Sequence, residues 1–309
     1  MMKKNVLSFR NLNKIYTRKN YNSIKALNNL NLDVNEGEIL GLLGPNVAGK
    51  TTFINILGGT VIKTSGEVNV QGYDLDKNPR QVRSSIGIVH QEVNLDPFFR
   101  PRKLLELQAG LYGIKKNERI TETILKLVSL NSQADSYARS LSGGMKRRLL
   151  MAKALVHQPP IIILDEPTAG VDVDLRKNLW KNVRSLNDLG VTVILTTHYL
   201  EEAEKMCDRI GILNKGNLVA LDTTKNLLNR IQTKRVIFKI NKKVEIKDET
   251  LKSLKIIRNT ADELYVSYEK NKIKIEEIIN FIKTKNVEIN DVITYDADLE
   301  DVFLHLTKS

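Results

Sequence analysis

A single cysteine, Cys207, stands in a chain of 309 residues, so no internal disulfide can form, and that usage suits a reducing cytosol. No apolar run approaches the length that spans a bilayer as a helix. No basic run is long or interleaved with aromatics, which argues against a nucleic-acid surface. There is no internal repeat and no low-complexity segment. The opening Met1-Met2-Lys3-Lys4-Asn5 leads into a short strand-like stretch instead of an apolar signal core, so the chain is expected to stay where it is made. What is present is ordinary for a soluble globular protein: 41% hydrophobic and 27% charged residues, and length for one large domain or two of usual size. Net charge is +12, and residues 222–309 carry little of it, with 17 Lys and Arg against 15 Asp and Glu. The basic remainder fits nucleic acid, anionic lipid, a nucleotide, or a plain solvated face.

The most informative stretch is Gly44-Pro45-Asn46-Val47-Ala48-Gly49-Lys50-Thr51, which fits G-x-x-x-x-G-K-[ST] at every fixed position. Glu38 to Leu43 before it is an apolar run that can form a buried strand, and Thr51 to Leu57 after it has helical spacing. Strand, glycine loop and helix are what phosphate binding needs. Backbone N–H groups turn inward on phosphate oxygens, and the helix N-terminus adds partial positive charge. Lys50 would reach the β- and γ-phosphates, and the Thr51 hydroxyl would ligate Mg²⁺.

Upstream, Val6 to Phe9 and Leu30 to Val34 have strand patterns and make a β-rich N-terminal subdomain. Tyr16 precedes the polar stretch Thr17 to Ser23; it can stack on a purine or pack in a core, and spacing leaves both open. Downstream, Gly66 to Val70 and Ser85 to Val89 are strand candidates. Gln91 follows the second, placed to hydrogen-bond a metal-bound water or simply to face solvent. In residues 92–140, Pro97 and Pro101 break the chain, and Leu104, Leu105, Leu107 and Leu111, then Ile120, Ile124, Leu127 and Val128, have helical spacing. These residues read as a mostly helical insertion. Leu141-Ser142-Gly143-Gly144-Met145 opens a further helix with Ser142 as N-cap, and its glycines allow close approach of a phosphate. Lys146-Arg147-Arg148 is expected on that helix's exposed face.

Ile161 to Leu164 reads as a central parallel strand ending in Asp165-Glu166. Asp165 can hold Mg²⁺ and Glu166 can orient a water, although an acidic pair at a strand end can also be a helix cap. His198, just past the strand Val191 to Thr196, can donate to a γ-phosphate oxygen. A hairpin follows over Ile210 to Leu221, then a polar helical linker at 222–234. Residues 235–309 form a small α+β accessory domain without a catalytic constellation. The expected fold class is therefore α/β: a P-loop NTPase core over 1–221, with its β-rich subdomain and helical insertion, plus that C-terminal domain.

In this order, the phosphate loop, Gln91, Leu141 to Met145, Asp165-Glu166 and His198 resemble the ATPase subunits of ATP-binding cassette (ABC) transporters over about residues 6–221. The wording at Leu141 to Arg148, Glu166 to Asp172, Thr196 to Glu202 and Leu299 to Leu306 is most similar to the branch that exports drugs, polysaccharides and lipids. The resemblance implies ATP and Mg²⁺ as ligands. It implies Tyr16 on adenine, Gly44 to Thr52 on the phosphates, and Thr51, Gln91 and Asp165 around Mg²⁺. Glu166 would be the base that activates water, His198 the γ-phosphate contact, and Gln91 a sensor coupled to a membrane partner. Leu141 to Met145 would bind the ATP of an opposite subunit, with Asp172 in the dimer interface.

The resemblance further implies a peripheral protein on the cytoplasmic face of the cell membrane. Its partners would be a second copy of itself and an integral-membrane permease on a separate chain, with no nucleic acid. One residue departs from the family pattern: Val47 stands where a glycine or another small residue is usual. A β-branched residue at positive φ would be strained by about 1–3 kcal/mol, so either the loop avoids that region or turnover is weakened. The rival readings are a non-transport ABC ATPase and an ATP-binding regulator with weakened hydrolysis.

Overall fold

The computed structural model describes residues 4–18, 21–171, 173–230, 232–244, 254–295 and 298–307. The chain divides between Thr223 and Thr224 into two compact units. The first opens with a long hairpin of β1 (Asn5–Arg18) and β2 (Tyr21–Asn35). These strands run well beyond the short segments that alternation marks. Cross-strand pairing continues through Tyr16 and Ile24 to Arg18 and Tyr21, and repeated bulges along it erase the period-two pattern. Next come β3 (Ile39–Leu43), α1 (Lys50–Gly58), β4 (Ser65–Val70), β5 (Tyr73–Asp74), α2 (Pro79–Ser84) and β6 (Ile86–Val89). Strands β1, β2, β4 and β5 form an antiparallel sheet in the order β2-β1-β4-β5. The sequence reading has neither β5 nor α2, because both are too short to show a period.

Residues 92–140 hold α3 (Pro101–Leu111), α4 (Thr121–Leu127) and three single 3₁₀ turns. Two expectations fail here. Pro101 does not break the chain; it occupies the first turn of α3, where its missing N–H costs nothing. The buried line of α3 is Pro101, Leu105 and Ala109, whereas Leu107 and Leu111 are exposed at 47% and 75%. Of the expected stripe Leu105 is buried and Leu104 half-buried, so two of its four leucines fall off the buried line.

The unit continues with α5 (Gly143–Leu155), β7 (Ile161–Asp165), α6 (Val173–Asp188), β8 (Thr192–Thr196), α7 (Leu200–Met206), β9 (Arg209–Asn214) and β10 (Asn217–Thr223). Its main sheet has the order β10-β9-β3-β8-β7-β6, all parallel except the edge strand β10. Every residue of β3, β7 and β8 is buried, as their unbroken apolar runs require of strands covered on both faces. Because these three neighbours are parallel, their carboxyl ends deliver Gly44, Asp165-Glu166 and Thr197-His198 to one edge of the sheet. Open α/β sheets bind ligands at such an edge.

The second unit contains α8 (Thr224–Asn229), β11 (Thr233–Ile240), β12 (Leu254–Asn259), β13 (Glu263–Glu269), α9 (Ile275–Thr284), β14 (Ile289–Tyr295) and α10 (Leu299–Thr307). Its antiparallel sheet has the order β12-β13-β11-β14. Val236 and Phe238 of β11, Leu264 and Val266 of β13, and Ile278 and Ile282 of α9 form its core. Residues 222–234, read from sequence as a linker, hold the end of β10, helix α8 and the start of β11. Strand β12 escapes the sequence reading because it is an edge strand with no fully buried residue.

Candidate functional site

The loop between β3 and α1 is compressed against its neighbours. A Cβ on Gly44 would fall 2.5 Å from the Leu213 carbonyl oxygen. Gly49 caps α1 at φ 110°, and a Cβ there would fall 2.5 Å from the Ala26 carbonyl oxygen. Lys50 folds back under this loop, and its Nζ donates to the carbonyl oxygens of Gly44 at 2.5 Å and Pro45 at 3.2 Å. Burial lowers the Lys50 pKa from its ordinary value, and the nearby Glu166 and Asp165 carboxylates oppose that shift. Val47 takes φ 69° on an open loop tip where it is 89% exposed. The loop does not avoid the left-handed region, and a β-branched residue sits there with no packing to compensate.

A cleft of about 1340 Å³ opens over this loop. It brings together Tyr16, the stretch Pro45 to Thr52, Gln91, Glu166 and His198. Tyr16 is 37% exposed on the cleft wall and not in a core, with Lys14 Nζ 4.7 Å from its ring centre. Gly44 and Asp165 lie behind the lining residues. Asp165 is buried and accepts a hydrogen bond from Thr196 Oγ1 at 2.6 Å. Ile24, Lys25 and Ala26 of β2 and Asn214-Lys215 at the β9–β10 turn complete the wall. No motif marks these residues, and only the hairpin topology brings them there.

Glu166 is the centre of the site. It sits at φ 46°, and its N–H donates to the Thr196 carbonyl oxygen at 3.0 Å. Gln91 Nε2 donates to its Oε2 at 3.0 Å, and His198 Nδ1 lies 3.2 Å from the same oxygen. Three residues from three strand ends thus meet at one carboxylate.

Leu141 to Met145 do not line this cleft. Ser142 caps α5, its Oγ accepting from the Met145 N–H at 3.3 Å, and Ser142 and Gly143 are exposed. The expected exposed face Lys146-Arg147-Arg148 is corrected by the structure, since all three are half-buried. Arg147 donates to the Ala169 carbonyl oxygen at 2.5 Å, and Arg148 to those of Val128 and Ser129 at 3.1 and 2.9 Å. Guanidinium groups saturate carbonyls that loops and helix ends leave without partners. Asp172 lies outside the described residues.

The donor set suits a phosphate ligand and a hard cation. Thr51, Gln91 and Asp165 supply oxygens, which magnesium prefers. Among the described residues no three His, Cys, Asp or Glu side chains cluster to hold a metal by themselves.

Residues 27–169 match the family model described as ABC transporter. The chain is 34% identical to a daunorubicin resistance ATP-binding protein of Streptomyces coeruleorubidus, covering 94% of this chain and 92% of that one, so the likeness extends into the second unit. It is 37% identical to a linearmycin resistance ATP-binding protein of Bacillus subtilis, over 73% and 72% of the two chains. Among solved structures it resembles a dimeric ATP-binding cassette in a post-hydrolysis state with ADP and phosphate. That match has a TM-score of 0.63 and 28% identity, covering 71% of this chain and 98% of that one.

Proposed function

The chain belongs to the ABC transporter family and is an ATPase by that membership, and from this premise we propose that it powers export through a separate membrane-spanning permease. The observation that carries this reading is the meeting of Gln91, Glu166 and His198 beside the Pro45 to Thr52 loop. No helix among the described residues is long and apolar enough to cross a membrane, so the channel is assigned to a partner. The names of the relatives, which speak of drug resistance and of Nod factor export, support the exporter branch.

In this reading ATP lies with its adenine on Tyr16 and its phosphates on Gly44 to Thr52. Lys50 faces the β- and γ-phosphates. Thr51, Gln91 and Asp165 would hold Mg²⁺, which supplies charge neutralisation on the phosphate oxygens. Glu166 accepts a proton from the attacking water, and His198 steadies the terminal phosphate. Leu141 to Met145 stand apart from their own chain's cleft, and they serve the ATP of a second copy. The solved dimeric cassette supports such an assembly. Asp172 would sit in the dimer interface, and the division near residue 221 would separate the ATPase domain from an accessory one.

Glu166→Gln tests the reading. The change keeps shape and removes the proton acceptor, so turnover should fall about 10²–10⁴-fold while ATP binding survives. With ATP and Mg²⁺ the variant should elute as a dimer on size-exclusion chromatography. Hydrolysis at the normal rate would remove Glu166 from its role. A persistent monomer would count against the shared site. Sedimentation with membranes should require co-expression of the permease.

A further inference from the structure

A second carboxylate, Glu202, is buried next to the site without lining the cleft. Burying a carboxylate is costly unless it is paired and hydrogen-bonded, so its partners show what it is for. Thr168 Oγ1 donates to Glu202 Oε2 at 2.8 Å, and Thr197 Oγ1 reaches the same oxygen at 3.4 Å. Arg176 Nε lies 3.2 Å from the other oxygen, Oε1. These partners come from three segments. Thr168 lies in the turn that begins at Glu166, where the Ala169 N–H donates to the Glu166 carbonyl oxygen at 3.2 Å. Thr197 immediately precedes His198, and its Oγ1 accepts from the Tyr199 N–H at 2.9 Å. Arg176 belongs to α6 and lies over the Tyr199 ring at 4.8 Å, and that ring in turn contacts His198 at 4.1 Å.

We propose that Glu202 is a positioning residue, which locks the turn carrying Glu166 to the loop carrying His198 so that both side chains meet at the cleft. This inference rests on the ATPase reading of Glu166. One carboxylate on α7 holds both loops by their threonines, and Arg176 of α6 pairs with its other oxygen. Glu166 sits at a left-handed backbone angle that its own residue type does not favour, so an external tether is what such a conformation needs.

Steady-state and single-turnover ATP hydrolysis by the full chain would test this. Thr168→Val keeps the shape of a fully buried side chain and deletes its hydroxyl, and Glu202→Gln deletes the charge. Each should lower kcat by about 10- to 100-fold, as small misplacements of reacting groups do, while KM moves less than about twofold. Thr168→Ser keeps the hydroxyl and should retain wild-type kcat. In a Glu166→Gln background, Glu202→Gln should add no further loss, since both act on one step. Unchanged kcat in folded Thr168→Val would overturn the proposal, as would a full multiplicative loss in the double variant. Thr168→Val carries the test if Glu202→Gln does not fold. Normal hydrolysis by Glu166→Gln alone would sink the parent reading instead.

Discussion

The two units of this chain treat the rules of folding differently. The first buries Glu38, Lys50, Asp165 and Glu202, and holds Val47 and Glu166 in left-handed backbone conformations. Among the described residues of the second no Asp, Glu, Lys, Arg or Thr is buried, and its one non-glycine residue at positive φ is Asn286, a type that tolerates it. Most of the costly features of the first unit crowd around the β3, β7 and β8 ends. A stretch of sequence that only has to fold can satisfy every local preference. A site must hold charge out of water and backbone out of its favoured regions, and the surrounding sheet makes good the deficit.

The comparison breaks most visibly at Phe238. This side chain is fully buried in β11, and Phe238→Ala should cost about 3–5 kcal/mol. Scanning calorimetry should show the loss in the second unit, while titration finds unchanged ATP affinity in the first. A matching loss of affinity would mean that the units do not divide their labour this way.

Lys50→Met is the counterpart in the first unit. It keeps the buried stem and removes a cation that burial already disfavours. ATP affinity should drop about 10- to 150-fold, the worth of a charged hydrogen bond of roughly 1.5–3 kcal/mol, with little loss in denaturant midpoint. If stability fell as far as affinity, Lys50 would be a structural residue holding the Gly44 and Pro45 carbonyls.

How legible each region was from sequence follows the same line. The phosphate loop, β7 with Asp165-Glu166, and His198 were readable because chemistry demands those residue types at fixed spacing. The second unit was readable by period, from the stripe Ile275, Ile278, Ile279 and Ile282 of α9 and the run in β11. What escaped was set by tertiary structure. The cleft wall from β2 depends on a bulged hairpin whose pattern does not alternate. Arg147 and Arg148 look like surface charges until the carbonyls they reach are in view. The buried line of α3 runs through Pro101, Leu105 and Ala109, while Leu107 and Leu111 of the expected stripe face solvent.

Val47→Gly sharpens the account of strain. Relief of a β-branched left-handed residue is worth about 1–3 kcal/mol, less roughly 0.5–1 kcal/mol for the freer unfolded chain, so stability should rise by about 0–2.5 kcal/mol. Turnover should rise or hold, as measured by steady-state hydrolysis beside thermal unfolding. A large loss of ATP affinity would show that the loop depends on Val47 and that its strain is part of binding.

The smallest effect lies in the first unit but away from the cleft, at His157. Its ring stacks on Tyr112 at 3.8 Å, and Nε2 meets the Ile86 carbonyl oxygen at 3.1 Å, which requires the N–H on that nitrogen. Burial lowers its pKa from the ordinary 6.5, and the Ile86 hydrogen bond opposes the shift only in part. The unfolded chain therefore takes up a proton at about pH 6.5, while the folded chain waits for a lower pH. Between those two values the unfolded state binds more protons, so stability falls as pH drops through the window and is fully present above it. His157→Gln can keep a donor to Ile86 and cannot titrate. Urea midpoints taken from pH 8 down to pH 5.5 should decline less in the variant than in the wild type. Equal declines would show that the stacked imidazole is not what acid destabilises, and would shift the search to hydrogen-bonded carboxylates, such as Glu106 with Thr121 and Arg119, whose contribution is lost at lower pH.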